Sequence, residues 1–454
     1  MWYDALEAGG GCVGVLGAGE SGLGAAYLSR VKGFDVFLSD CGEVDEPRAK
    51  ELESMGAQWE KGRHSLGRLA ECAVVVKSPG IPGEASVVLA LREKGVPVIS
   101  EIEFANHYTR AKKICVTGSN GKTTTVSLLY HMLMKAGVDV ALVGNIGSSF
   151  ARQVAKRDHA CYVLELSSFQ LEDMYEFKAD VAILLNITPD HLDRYGYEMQ
   201  RYVDAKFRIV RNMTGTDSFI YSADDAETVR QLAKMEISAR RLPFSQHMVE
   251  GLGAWSDKET LHFTVDAGEG WEMPVGELSL RGLHNVNNSM AAGLAGEVLR
   301  LPREVIRASL HDFVGIPHRL ELVGEVEGVR YINDSKATNV DAVWYALESM
   351  RTPVVWIAGG TDKGNDYSAL EGFVREKVHA LVCLGVDNEK LRSAFAGLVD
   401  TFVETRSAEE AVREAHRLAH VGDTVLLSPA CASFDLFKNY EDRGEQFKQW
   451  VKRL

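Results

Sequence analysis

The run Thr117-Gly118-Ser119-Asn120-Gly121-Lys122-Thr123-Thr124 brings together the residue types that hold a polyphosphate. Small residues let backbone N–H groups turn inward on an anion, Lys122 supplies a point charge for terminal phosphates, and the Thr123 hydroxyl can ligate Mg²⁺. Position 116, where the usual phosphate loop carries glycine, is valine, so the loop is a variant. An apolar run, Ile114-Cys115-Val116, precedes it, and Val126, Leu129 and Leu133 recur at helical spacing after it. Strand, loop and helix are the context this chemistry needs, and binding of a nucleoside triphosphate is the expectation.

Gly17-Ala18-Gly19-Glu20-Ser21-Gly22 follows another apolar run, and Asp40 closes the next one. This fits a dinucleotide fingerprint: a tight turn, close approach to a diphosphate, and an acid for a ribose or base. Ser78-Pro79-Gly80 follows a further strand pattern and could close over the same ligand. Glu165, at the end of a buried-strand pattern, would sit where open α/β sheets bind ligands and suits a hard cation. Asn186-Ile187-Thr188-Pro189-Asp190-His191 runs from strand into polar residues, making His191 a metal candidate beside acids. By composition alone Lys206 reads as a solvated helix charge. Arg319 suits either planar contact with a phosphate or carboxylate, or an ordinary surface. His416 and His420, spaced i, i+4 with no glutamate to complete a zinc-protease pattern, read as exposed helix residues.

The elements that must position these groups alternate between strand and helix. Strand patterns fall at 11–16, 34–39, 73–77 and 96–100, then at 162–166 and 181–186, then at 329–332, 354–358, 380–384 and 424–427. A polar stretch at 106–113 and a proline at 317 suggest boundaries. The expectation is therefore an α/β chain of three domains, 1–109, 110–315 and 316–454, with a small antiparallel side sheet over about 245–280 beside the second. Asn333-Asp334-Ser335-Lys336-Ala337-Thr338, Gly359 to Lys363, and Ser428 to Asp435 follow apolar runs, so they should share one sheet edge.

Fifty Lys and Arg against 64 Asp and Glu leave a net charge of −14, which repels phosphate backbones and argues against nucleic acid as a partner. Seven scattered cysteines without Cys-x-x-Cys suggest neither a disulfide framework nor a zinc ribbon, and point to a reducing cytosol. No leader-like start and no long apolar run stands out, so neither export nor a membrane span is expected.

Taken in order, Thr-Gly-Ser-Asn-Gly-Lys-Thr, Gly144-Asn145-Ile146-Gly147, Glu165 to Leu171, Asp190 to Tyr195, Asn333 to Asn339 and Ser428 to Asp435 resemble the motifs of the Mur ligases, over nearly the whole chain. The resemblance implies a Rossmann-like first domain, a central P-loop ATPase-like domain and a Rossmann-like third domain. It also implies an ATP- and Mg²⁺-dependent, monomeric, cytoplasmic enzyme that joins D-glutamate to UDP-N-acetylmuramoyl-L-alanine through an acyl phosphate.

Carried over by position, Gly17, Gly19, Glu20, Ser21, Gly22, Asp40, Ser78, Pro79 and Gly80 would hold the UDP moiety, with Asn145 and His191 near the muramoyl part. Gly118, Ser119, Asn120, Gly121, Lys122, Thr123 and Thr124 would cradle ATP phosphates, Asn285 and Asn288 would lie near adenine, and Arg319 would touch the γ-phosphate and Asp334 the ribose. Thr123, Glu165, His191 and a carbamylated Lys206 would be metal ligands, and Lys336, Thr338, Lys363, Ser433, Phe434 and Tyr440 would receive D-glutamate. Phe434 and Tyr440 stand where the family pattern has Leu and Phe, and Cys41-Gly42 falls in a variable segment. The rival readings are another Mur-type or folylpolyglutamate-type ligase, and a nicotinamide-dependent oxidoreductase built on the first glycine loop.

Overall fold

A computed structural model describes residues 2–7, 11–266, 270–314, 317–362 and 364–454. It is α/β, with three sheets and two compact units, 1–277 with 287–311, and 278–286 with 312–454. The expected boundary at 315/316 lies outside the described residues.

In the first unit, β1 (Cys12–Leu16), β2 (Asp35–Asp40), β3 (Gln58–Lys61), β4 (Val74–Lys77) and β5 (Val98–Ser100) form a parallel sheet in the order β3-β2-β1-β4-β5. Both faces of such a sheet are covered, which is why its central strands, Val-Gly-Val-Leu and Val-Val-Val, are continuously apolar. The order reverses at β1, so the glycine loop after it opens into a crevice beside the loop after β4.

A second sheet contains β6 (Lys112–Thr117), β7 (Val140–Gly144), β8 (Cys161–Glu165), β9 (Val181–Leu184), β10 (Ser218–Ser222), β11 (Arg240–Ser245), β12 (Gly253–Ser256), β13 (Thr260–Thr264) and β14 (Trp271–Pro274). Its order is β14-β13-β12-β11-β10-β9-β6-β8-β7. The antiparallel strands at its far end correct the expected separate side sheet. Phe244 pairs with Ala254, so β12 bonds in parallel to β11 and the hairpins extend the main sheet. Covering β11 in this way removes an open edge whose unpaired backbone groups would otherwise invite another chain. One apolar cluster runs from Val13 and Val15 in the first sheet through Cys115 and Leu164 in the second.

The second unit holds β15 (Glu321–Val326), β16 (Val329–Asn333), β17 (Val354–Ala358), β18 (Val378–Leu384), β19 (Thr401–Thr405) and β20 (Thr424–Leu427), in the order β15-β16-β20-β17-β18-β19. Separate apolar clusters cover its two faces. All seven cysteines are free thiols, and none of the described helices is long and apolar enough to cross a membrane.

Candidate active site

The phosphate loop is the four-residue link from β6 to the helix Lys122–Lys135. Gly118 and Gly121 take φ of 151° and 85°, and a Cβ on Gly121 would collide with Asn288 Oδ1. The missing glycine at 116 is explained: Val116 lies inside β6, paired with Glu165 and Ile183, so the turn begins later. Asn186 braces the loop from β9, accepting from Ser119 N–H and Asn120 N–H through its main-chain and side-chain oxygens. Ser119 Oγ is held by Thr188 N–H at 2.9 Å, Thr188 O at 2.8 Å and Tyr202 OH at 3.1 Å. Lys122 Nζ is folded onto the carbonyls of Gly118 and Ser119, at 2.6 and 2.7 Å. Thr123 and Thr124 begin the helix, where amides and dipole favour an anion.

The strand order β9-β6-β8-β7 brings the other polar groups to the same carboxyl edge. Glu165 ends β8, is 1% exposed, and takes Asn145 Nδ2 on Oε1 at 2.8 Å. Its Oε2 is buried and has no hydrogen-bond partner among the described residues. A buried carboxylate oxygen left bare costs free energy unless something cationic meets it.

Lys206, expected from composition to be solvated, is 1% exposed. Its Nζ donates to Gly118 O at 2.8 Å and lies 4.5 Å from the Tyr202 ring centroid. Burial pushes its ammonium well below the usual lysine range, the Lys122 charge adds to this, and Asp190 opposes it. Burial thus favours the uncharged, nucleophilic form of the amine over the ammonium. His191 sits in a left-handed backbone conformation, φ 53°, with its ring 5.2 Å from Phe169.

Around the first sheet, Gly17 (φ 95°) lies against Ser78, where a Cβ would come within 2.7 Å of Oγ. Ala18 N–H and Gly42 N–H donate to the two oxygens of Asp40, at 2.6 and 2.7 Å, so Asp40 shapes the loop. Glu20 accepts from Arg152 at 3.1 Å. Arg194, which sequence reading passed over, donates to Ile81 O at 3.0 Å and stacks on Phe169 at 4.2 Å, joining the Ser78-Pro79-Gly80 turn to the His191 loop.

In the second unit, Asn333, Ala358 and Leu427 end neighbouring strands, so the predicted segments do share an edge. Lys336 Nζ lies 3.7 Å from the Tyr440 ring centroid, and Thr338 N–H bonds Lys336 O. Ser433 is buried, Phe434 is 72% exposed, and Lys363 falls outside the described residues. Asp334 is buried, accepts from Ser428 Oγ at 2.8 Å and from Leu320 N–H, and is raised by burial to about 7. His284, another residue that sequence reading missed, has a buried Nδ1 with no partner among the described residues; burial and the neighbouring Arg319 push it down to about 4. Asn285 Nδ2 donates to Arg281 O at 2.8 Å.

Arg443 was also missed. Its buried guanidinium donates to Ser335 Oγ and O, Gly359 O and Cys431 O, tying together the loops that carry Lys336, Thr361 and Ser433. The signal was present: Arg443, Phe447 and Val451 recur at helical spacing on one buried face.

Known proteins match this arrangement. Residues 116–296 match the Mur ligase middle domain, and 318–431 match the Mur ligase glutamate ligase domain. The chain belongs to the Mur ligase family. UDP-N-acetylmuramoylalanine–D-glutamate ligase of Bacteroides fragilis is 53% identical over 97% of this chain and 99% of its own, and that of Christiangramia forsetii is 50% identical with the same coverage. Among solved structures, UDP-N-acetylmuramate-alanine ligase of Thermotoga maritima aligns with TM-score 0.60 at 18% identity, over 98% of this chain and 99% of that one. The MurF ligase of the same organism, in complex with ADP, aligns with TM-score 0.61 at 15% identity, over 92% of this chain and 95% of that one. Membership in this family sets aside the oxidoreductase reading of the first glycine loop.

Proposed function

We infer that the protein is the ATP-dependent ligase that adds D-glutamate to UDP-N-acetylmuramoyl-L-alanine in peptidoglycan precursor synthesis. Near-complete coverage of relatives bearing that activity in their names supports the reading. The observation that carries its chemistry is the convergence of the phosphate loop, the bare oxygen of Glu165 and the buried Lys206 amine, bonded to Gly118 O, at one sheet edge.

A carboxylate does not form an amide directly, because its oxygen is a poor leaving group. The γ-phosphate of ATP is transferred to the L-alanyl carboxylate, giving an acyl phosphate. The D-glutamate amine then attacks the acyl carbon, a tetrahedral adduct forms, and phosphate leaves. The attacker and ATP are both anionic, and at an effective dielectric of 20 each unit-charge pair 4 Å apart costs about 4 kcal/mol. Lys122 and Arg319 are the side-chain cations that offset this, chiefly by positioning and by stabilising transferred charge.

Thr123, the bare oxygen of Glu165, His191 and Lys206 as a carbamate would hold Mg²⁺, which would neutralise phosphate charge. The unprotonated form of the Lys206 amine, which burial favours, is the one that would take up carbon dioxide, releasing a proton and leaving an anionic carbamate as oxygen ligand. In this reading 1–109 is the Rossmann-like UDP-substrate domain, where Gly17, Gly19, Ser21, Gly22, Ser78 and Gly80 face the nucleotide and Asn145 and His191 the muramoyl group. The P-loop-type domain 110–315 binds ATP, with Asn285 and Asn288 toward adenine. The Rossmann-like domain 316–454 contributes Asp334 to the ATP ribose and receives D-glutamate through Lys336, Thr338, Lys363, Ser433, Phe434 and Tyr440.

The test is phosphate release from ATP with UDP-N-acetylmuramoyl-L-alanine and a panel of amino acids. Sustained release with D-glutamate alone, abolished in Lys122→Ala, is the expected result. Equal turnover with a dibasic amino acid would overturn the substrate assignment.

A further inference from the structure

At the amino-terminal edge of the sheet in the second unit, His379, His420 and Asp423 converge, with one ligand atom from each lying within 4.8 Å of the others. His379 is near the start of β18, and Asp423 directly precedes β20. The proposed amino-acid residues lie at the carboxyl edge, and a seven-residue strand separates the two edges by about 20 Å. The mechanism above uses none of these three side chains.

Their placement is specific. Val354 faces Val378 and Val355 faces Ala380, so His379 is the additional residue of a β-bulge in β18. A bulge re-aims a side chain, and this one directs His379 Nε2 to 2.9 Å from Asp423 Oδ2. His420 is read from the sequence as part of an exposed helix, but the helix ends at Leu418. The chain then turns through Gly422 at φ 97°, with Asp423 N–H donating to His420 O. That turn sets His420 Nδ1 at 3.4 Å from the same Asp423 oxygen. Asp423 is 6% exposed in its side chain, His379 23% and His420 79%, so the cluster has a buried floor and an open mouth.

We propose that His379, His420 and Asp423 form a binding site for a borderline divalent transition metal, Zn²⁺ being the representative. Two imidazole nitrogens and one carboxylate oxygen suit Zn²⁺ and not Mg²⁺, which prefers oxygen ligands throughout. Asp423 Oδ2 lies 2.9 Å from His379 Nε2 and 3.4 Å from His420 Nδ1, on either side of the about 3.3 Å between ligands of a tetrahedral centre with zinc–ligand bonds near 2.05 Å, and the three ligand atoms all lie within 4.8 Å of one another. The open mouth beside His420 leaves the fourth position to water. Bound there, the metal replaces the His379 to Asp423 hydrogen bond and fixes the bulge to the turn.

Equilibrium dialysis of the chelator-stripped full chain against Zn²⁺, in excess Mg²⁺ to occupy oxygen-rich sites, tests this. Wild type is expected to retain one Zn²⁺ per chain. The exposed variant His420→Ala and the half-buried variant His379→Ala should each weaken binding by about tenfold or more, with D-glutamate-dependent phosphate release unchanged. Heat-unfolding traces establish that each variant is folded. Retention of no zinc by wild type, or equal retention by wild type and the folded His420→Ala variant, would overturn the site.

Discussion

Two places in the first unit bury carboxylates, and they treat them oppositely. Where the first and second sheets meet, each carboxylate is met by donors. Glu103 accepts from three consecutive amides, those of Tyr175, Glu176 and Phe177, at 3.0, 2.7 and 2.9 Å. Asp173 pairs with Lys77 at 3.0 Å and Arg92 at 2.7 Å, and Glu101 accepts from Ser149 Oγ and Ala151 N–H, both at 2.6 Å. At the phosphate loop, Glu165 keeps Oε2 bare, and Asn120 Nδ2 and Thr188 Oγ1 are likewise buried without hydrogen-bond partners among the described residues. A carboxylate whose valences are filled holds the fold, whereas one with an open valence is held ready for a ligand.

The largest contrast should come from removing one charge at each place. Asp173→Asn strips the buried Lys77 of its counter-charge and should lower stability by about 3–5 kcal/mol, read from urea unfolding. Glu165→Gln, which removes a bare charge, should leave the unfolding midpoint unchanged or higher while cutting kcat by about a hundredfold or more. A stability loss in Glu165→Gln matching that in Asp173→Asn would erase the distinction.

A smaller effect sharpens it through pH. Burial raises Glu101 from the ordinary 4.5 to about 7, so between those values the native state keeps a proton that the unfolded chain has released. Stability from this group is therefore present at acid pH and is lost as pH rises toward 7. Glu101→Gln should remove a slope of up to about 1.4 kcal/mol per pH unit over that window, seen by comparing its unfolding curves with wild type. The smallest expected signal is chemical rescue. Lys206→Ala should lose activity and regain a fraction of it with short-chain carboxylic acids, which replace the carbamate oxygens; full activity in the variant without rescue would remove Lys206 from the site.

What the sequence made legible was local. The phosphate loop, the Gly17 loop and Glu165 are contiguous motifs at strand ends, where alternating strand and helix places them by rule, and the same alternation gave the α/β class. Lys206 and Arg443 were harder, because charge argues for solvent while helical spacing argues for burial; Tyr202 with Lys206, and Arg443 with Phe447, share buried faces. The strands after residue 250 read correctly as antiparallel, yet which edge they would join is a tertiary choice that periodicity does not encode. Arg194 and His284 act through partners distant in sequence, Ile81 and Arg319, which no spacing rule reaches.

The central claim is that this edge transfers a phosphoryl group to a sugar-linked carboxylate. Supplying UDP-N-acetylmuramoyl-L-alanine with heavy oxygen in its carboxylate and weighing the phosphate released in the presence of ATP and D-glutamate tests it directly. The account predicts one heavy oxygen in each phosphate, carried over when the amine displaces the acyl phosphate; release of unlabelled phosphate with amide formed would contradict it.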